Sequence, residues 1–241
     1  MFFSKYIAVS FLLFCLSLDA ANCAGPLFHF CFSQTKYTVN SPYATKLNGL
    51  LNQLSTKVPR TGFRLDFNVD AENRVNGLAL CRGDVSSRNC KTCVIDAEKE
   101  VRHRCPYEKG ATIWYDYCLL KYSDMDFFGK IDNGNKFYMW NVQEVKNTTS
   151  FNRKLKDLLS SLSYKAYASP KLYATGELVL GSSEKLYGLA QCTRDLSSLD
   201  CKECLDGAIG ELPKCCDGKR GGRVVGGSCN FRYELYPFVA A

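Results

Sequence analysis

Residues Cys81 to Cys93 read C-R-G-D-V-S-S-R-N-C-K-T-C, with cysteines spaced C-x8-C-x2-C. The same spacing returns at Cys192, Cys201 and Cys204, in C-T-R-D-L-S-S-L-D-C-K-E-C, an offset of 111 residues. The offset continues downstream, where Cys105 matches Cys216 and Cys118 matches Cys229. Neighbouring residues keep step: Gly77-Leu78-Ala79 matches Gly188-Leu189-Ala190, and Asp84, Ser86 and Ser87 match Asp195, Ser197 and Ser198. Five cysteines in register with matching neighbours mark one module written twice, and the rest of the chain is read against that repeat.

Outward from the repeat, the N-terminus reads as a secretory signal over residues 1–23. Lys5 supplies the positive start, Ile7 to Leu18 is an apolar run too short to span a bilayer, and Ala20, Ala21, Cys23 and Ala24 are small. Cleavage is expected after Cys23, with Ala20 as the rival position. Two modules then follow, over residues 24–134 and 135–241, each of a size that supports its own core. No later segment has the length and apolarity of a transmembrane helix, so the expected product is secreted and extracellular. Removing Cys15 and Cys23 leaves twelve of the 14 cysteines, an even number suited to bridging in an oxidising compartment. Zinc is a poor competitor for the C-x2-C pairs, because the chain has only 2 histidines, His29 and His103. The net charge of +7 is spread along the chain without a long basic run, so neither nucleic acid nor a charged membrane surface is an expected partner.

Periodicity gives each module the same plan. In the first, a short strand enters at Pro26–Cys31. A helix spans Tyr43–Leu54 behind a Ser41-Pro42 start, with Leu47, Leu50, Leu51 and Leu54 on one face. Strands are expected at Phe63–Val69 and Val75–Cys81, a second helix from about Cys90 to before Cys105, and one long central strand over Ala111–Tyr122. The second module repeats this with a strand at Gly134–Val142 and a helical stripe from Phe151 to Leu162. Strands at Leu172–Leu180 and Leu186–Cys192, a helix at Cys201–Leu212 and a closing strand at Val224–Tyr236 complete it. The expected fold class is α+β: two tandem modules, each an antiparallel β-sheet packed with two α-helices and stapled by disulfides. Asn147-Thr148-Thr149 is a glycosylation sequon in the inter-module connection.

C-x8-C-x2-C, then eleven residues to a cysteine and twelve to the last, is similar to the ginkbilobin-homologous, or salt-stress-response/antifungal, domain of land plants. Two such domains behind a signal peptide resemble the cysteine-rich repeat secretory proteins. The same tandem forms the ectodomains of cysteine-rich receptor-like kinases and plasmodesmata-located proteins. The resemblance implies bridges Cys31–Cys105, Cys81–Cys90 and Cys93–Cys118 in the first module, and Cys192–Cys201 and Cys204–Cys229 in the second. Spacing alone does not choose among the connectivities that six cysteines allow. The second module lacks a counterpart of Cys31 and instead places Cys215 beside Cys216, which leaves two readings: a vicinal bridge or two free buried thiols.

Chemistry has few candidates. His103, in Val101-Arg-His-Arg-Cys105, reads as a helix-end residue favoured by the helix dipole. No Ser/His/Asp constellation or P-loop is visible, Asp84 and Asp195 read as loop-capping residues before Ser-Ser, and no enzyme, cofactor or metal site is expected. The resemblance does imply a mannose site: an asparagine after the first cysteine, an arginine six residues before the last, and a glutamate five after it. Arg223 and Glu234 match in the second module, and Asn141 lies near the asparagine position beside Trp140. The first-module counterparts, Phe32, Thr112 and Ser123, do not match. Charged donors and acceptors of this type suit vicinal hydroxyls. The rival reading is an Arg223–Glu234 ion pair on adjacent strands. The loop Lys214 to Arg223, with Lys219, Arg220 and several glycines, reads as a flexible basic hairpin. Two functional classes therefore stand: a defence or stress protein with antifungal action that binds a mannose-type carbohydrate, and a module that recognises an extracellular protein partner. The oligomeric state is not legible.

Overall fold

A computed structural model describes residues 25–68, 73–181 and 184–239. The expected signal segment 1–23 lies outside them. Ten strands form two five-stranded antiparallel sheets. The first holds β1 (Phe28–Cys31), β2 (Phe63–Phe67), β3 (Asn76–Cys81), β4 (Gly110–Trp114) and β5 (Cys118–Ser123), in the order β1-β4-β5-β3-β2. The second holds β6 (Lys136–Trp140), β7 (Tyr173–Val179), β8 (Lys185–Cys192), β9 (Gly221–Gly226) and β10 (Cys229–Glu234), in the order β6-β9-β10-β8-β7. The second order is the first advanced by five strands, so the sequence repeat is a repeat of topology.

Two helices lie on one face of each sheet: α1 (Pro42–Thr61) and α2 (Ser87–Arg104) on the first, α3 (Thr148–Tyr167) and α4 (Ser198–Gly210) on the second. A single turn, α5 (Leu212–Cys215), follows α4. Local chemistry sets the ends. Ser41, Ser86, Asn147 and Ser197 cap the four long helices, each side-chain oxygen accepting an N–H from the first turn. Gly62 stops α1 at φ +74°, where an L-residue would be strained, and donates its N–H to the Val58 carbonyl. The apolar stripe of α1 continues past Leu54 to Val58, so the helix is longer than the leucine pattern suggests.

The structure corrects two strands. Ala111–Tyr122 is a hairpin, not one long strand: β4 turns through Tyr115-Asp116-Tyr117 into β5, closed by the Tyr115 N–H donating to the Cys118 carbonyl at 2.8 Å. Val224–Tyr236 likewise falls within the hairpin β9–β10, turning at Gly227-Ser228.

Disulfides join helix to sheet at matching places. Cys31–Cys105 ties β1 to the end of α2, Cys81–Cys90 ties β3 to the start of α2, and Cys93–Cys118 ties α2 to β5. Cys192–Cys201 and Cys204–Cys229 repeat the last two in the second module. Cys215 bridges to Cys216. On the chain-entropy model, a 25-residue loop such as Cys93–Cys118 contributes about 3.5 kcal/mol.

Strand alternation explains how the modules meet. In β3 and β5, Ala79, Leu120 and Tyr122 face the helices, so Leu78, Leu80, Leu119 and Lys121 must face the other way. Those outer residues are also buried, because the second sheet covers them. Leu78, Leu80, Trp114 and Leu119 from the first sheet pack with Val225 and Phe137 from the second in a third apolar core. Trp114 is 3% exposed, meets the Phe137 ring edge-on at 5.4 Å, and donates its indole N–H to the Gly226 carbonyl at 3.0 Å.

Candidate functional site

The charged residues singled out in the sequence lie at this sheet-to-sheet junction. Arg232 on β10 is directly opposite Arg223 on β9, and both point outward beside Val225, away from Val224 and Tyr233, which face the helices. Glu234, two residues past Arg232, shares their face. Three arginines and three carboxylates meet here, and the cluster is formally neutral. Asp116, from the β4–β5 turn of the first module, is its centre. It pairs with Arg223, with Arg232 at 3.4 Å and with Arg82 at 3.4 Å. Arg82 also makes a two-pronged pair with Asp84, at 2.7 and 2.9 Å, and reaches the Phe238 carbonyl at 3.3 Å. Arg232 donates to Glu234 at 3.0 Å and to the Tyr236 hydroxyl at 3.0 Å, and its guanidinium stacks 4.1 Å from the Phe238 ring centroid. The tail after β10 thus folds back over the cluster.

Burial works against the charge of Asp116, yet Arg223, Arg232 and Arg82 outweigh it and hold its carboxyl below the usual range. Arg223 is likewise pushed below its usual range, by burial and by the like charge of Arg232. The rival reading of an Arg223–Glu234 ion pair is not what forms: Arg223 is taken by Asp116 and Glu234 by Arg232. Asn141, just past β6, uses its N–H on the Gly221 carbonyl at 2.8 Å and its side-chain oxygen on the Gln143 N–H at 2.9 Å. Glycine makes the close approach possible, since a Cβ at Gly221 would lie 1.9 Å from the Glu234 carboxylate. The cavity beside these residues is only ≈ 50 Å³.

A second polar knot lies at the other end of the junction. By the repeat, Lys121 corresponds to Arg232, and it too is a buried cation on the outer sheet face. It pairs with Asp132 of the inter-module connection at 2.5 Å, beside the Phe127 ring at 4.6 Å. Asp132 is held by the second module's hairpin turn: its N–H donates to the Ser228 hydroxyl at 2.9 Å, and a Cβ at Gly227 would come within 2.2 Å of its carboxylate. The first module's hairpin turn supplies Asp116 to Arg223 and Arg232 of the second, and the second module's turn holds Asp132 against the buried Lys121 of the first, so the junction has an approximate two-fold character.

The remaining candidates resolve simply. His103 is exposed in the last turn of α2. His29 lies beside Cys31 and Cys105, but both sulfurs are spent in a disulfide. Asp84 pairs with Arg82 and Asp195 accepts the Gly129 N–H at 3.0 Å, while Ser86 and Ser197 cap the helices that follow. The stretch Lys214–Arg223 is not a loose basic hairpin: Lys219 pairs with Glu144 at 2.7 Å, Arg220 with Glu184 at 3.4 Å, and β9 begins at Gly221. No helix among the described residues is long and apolar enough to cross a membrane. Sequence reasoning missed Asp116 altogether. The repeat does point at it, because Asp116 aligns with Gly227 in the turn of the second hairpin.

Comparison with known proteins agrees with this architecture. The family described as salt stress response/antifungal matches residues 30–125 and again 140–236. An "Antimicrobial ginkbilobin-2-like protein" of Castanea crenata is 74% identical over 238 residues, covering 99% of each chain. The "Cysteine-rich repeat secretory protein 38" of Arabidopsis thaliana is 56% identical over 216 residues, covering 88% of this chain and 85% of that protein. Among solved structures, the tandem DUF26 ectodomain of an Arabidopsis thaliana cysteine-rich receptor-like protein superposes with a TM-score of 0.78 at 28% identity, covering 88% of this chain and 98% of that one. A second such ectodomain gives 0.73 at 26% identity, covering 88% and 99%. The chain belongs to the salt stress response/antifungal family, as a secreted protein built from two of its cysteine-rich domains in tandem.

Proposed function

We propose that this chain is a non-enzymatic defence protein with antifungal action, which recognises an extracellular protein partner as one rigid two-module body. The observation that carries the reading is the use made of Arg223 and Glu234. Their charges are already met by Asp116 and Arg232 inside the junction, and the ≈ 50 Å³ beside them is well below the roughly 300 Å³ at which small-molecule pockets begin. The outer surface offers aromatic and aliphatic groups instead. Along and just past the edge strand β6, Tyr138, Trp140 and Val142 are 37%, 53% and 87% exposed. Exposed aromatics of this kind suit a protein interface. The relative named antimicrobial supports the antifungal part of the reading.

A carbohydrate reading keeps one observation in its favour: Arg223 and Glu234 share one sheet face, with Asn141 bonded to the same strand at Gly221. One set of experiments separates the two. In a fungal growth assay the wild type inhibits, and Trp140→Ala needs roughly tenfold more protein for equal effect, as loss of an interface anchor implies. Calorimetric titration with mannose and mannan at millimolar sugar gives no binding heat. Sugar binding by the native protein that Arg223→Ala abolishes, with Trp140→Ala fully inhibitory, would establish the carbohydrate reading instead.

A further inference from the structure

Beside the start of α3 lies an open cleft of ≈ 450 Å³, whose lining includes Asn147, Lys154, Leu180, Glu184 and Arg220. Asn147 is the first residue of the sequon Asn147-Thr148-Thr149, and no other Asn-x-Ser/Thr occurs in the chain. Both Asn147 and Thr149 are exposed. The two ends of the Asn147 amide have different duties. Its Oδ1 accepts the Ser150 N–H at 3.1 Å and so caps α3. Its Nδ2 makes no hydrogen bond among the described residues, and Nδ2 is the atom to which an N-linked sugar attaches. Helix cap and glycan therefore do not compete.

The cleft is furnished for a neutral, hydroxyl-rich guest that begins at its rim. Lys154 and Arg220 are donors and Glu184 is an acceptor. Lys154 reaches the Leu180 carbonyl at 3.1 Å and Arg220 reaches Glu184 at 3.4 Å, leaving each with further N–H groups. Leu180, Val145 and the edge of Phe151 supply apolar surface for sugar ring faces.

We propose that Asn147 carries an N-linked oligosaccharide and that its first residues lie in this cleft. In the transfer, Asn147 Nδ2 bonds to the anomeric carbon of a lipid-diphosphate-linked oligosaccharide. The carbon–oxygen bond to the diphosphate breaks, and the proton lost from Nδ2 leaves with the lipid diphosphate. The glycan then bridges the start of α3, the end of β7 and the Lys219–Arg220 segment.

The test is secretion of the full chain from a eukaryotic cell, followed by intact mass before and after an amidase that removes the whole glycan and leaves Asp. The wild type should lose one glycan mass. Thr149→Ser should retain it. Thr149→Ala and Asn147→Asp should lack it, and both stay folded, because Asn or Asp remains as the cap. Amidase treatment should lower the thermal midpoint by about 2–4 °C, and that drop should vanish in the Glu184→Ala, Arg220→Ala double variant. A wild-type mass unchanged by the amidase overturns the modification. A glycan whose removal leaves the midpoint unmoved overturns its seating in the cleft.

Discussion

Trp114→Ala lowers the stability of the protein by about 3–5 kcal/mol, the range for truncating a large buried aromatic. Trp114 is 3% exposed, packs edge-on against Phe30 and Phe137, and sits among Leu78, Leu80, Leu119 and Val225. Its loss removes apolar contacts from both modules and strands the Gly226 carbonyl that accepts its indole N–H. Denaturant unfolding followed by fluorescence and circular dichroism checks the magnitude. The loss falls on the junction, because neither helix-covered core touches this ring. Equal unfolding midpoints in variant and wild type would show that the third core contributes nothing.

Asp132→Asn has an effect of similar size by a different route. The variant keeps Oδ1, which accepts from the N–H groups of Gly134 and Asn135, so the local turn survives. It replaces the oxygen facing Lys121 with an amide and leaves a buried ammonium without an anion, which costs about 3–5 kcal/mol. Adding Lys121→Met removes the stranded charge and should recover most of the loss. Acidity provides a second check. Burial raises the Asp132 pKa, but Lys121 and the Asn135 hydrogen bonds outweigh it and the folded value is depressed. A depressed carboxylate contributes its full stability above its unfolded pKa of about 3.9 and loses it as pH falls through the folded value. The gap between wild type and Asp132→Asn should therefore be widest near neutrality and close below about pH 4. A gap that is constant with pH would mean the carboxylate charge is not what matters.

The parts of this fold that were legible in the sequence are those whose signals are local. The 111-residue repeat, the Ser41-Pro42 helix start and the leucine stripes each sit within one element and read directly. The two hairpins were not legible in the same way. Tyr115-Asp116-Tyr117 turns the chain with no glycine or proline, inside a run of aromatic and β-branched residues that reads as continuous strand. Its repeat partner, Gly226-Gly227-Ser228, carries the turn signal that the first module hides. The candidate site fails for a further reason. Arg223 and Glu234 follow from the family resemblance, but their partners depend on which sheet face meets the other module. Asp116 lies 107 residues from Arg223 in sequence, and nothing near either residue announces the pair. Period-two alternation would assign Leu78, Leu80 and Lys121 to an outer face. Only the packing of the second sheet explains why that face is apolar and carries a buried lysine.

That packing makes the two modules one cooperative body, closed by Trp114 and two knots of buried charge. Scanning calorimetry of the oxidised wild-type chain tests this most directly. A single transition with equal calorimetric and van't Hoff enthalpies is expected, because neither module can unfold without exposing the third core of the other. Two resolved transitions, or a calorimetric enthalpy about twice the van't Hoff value, would mean that the modules melt independently. The junction would then not be closed, and Arg223 and Glu234 would be free to bind something else.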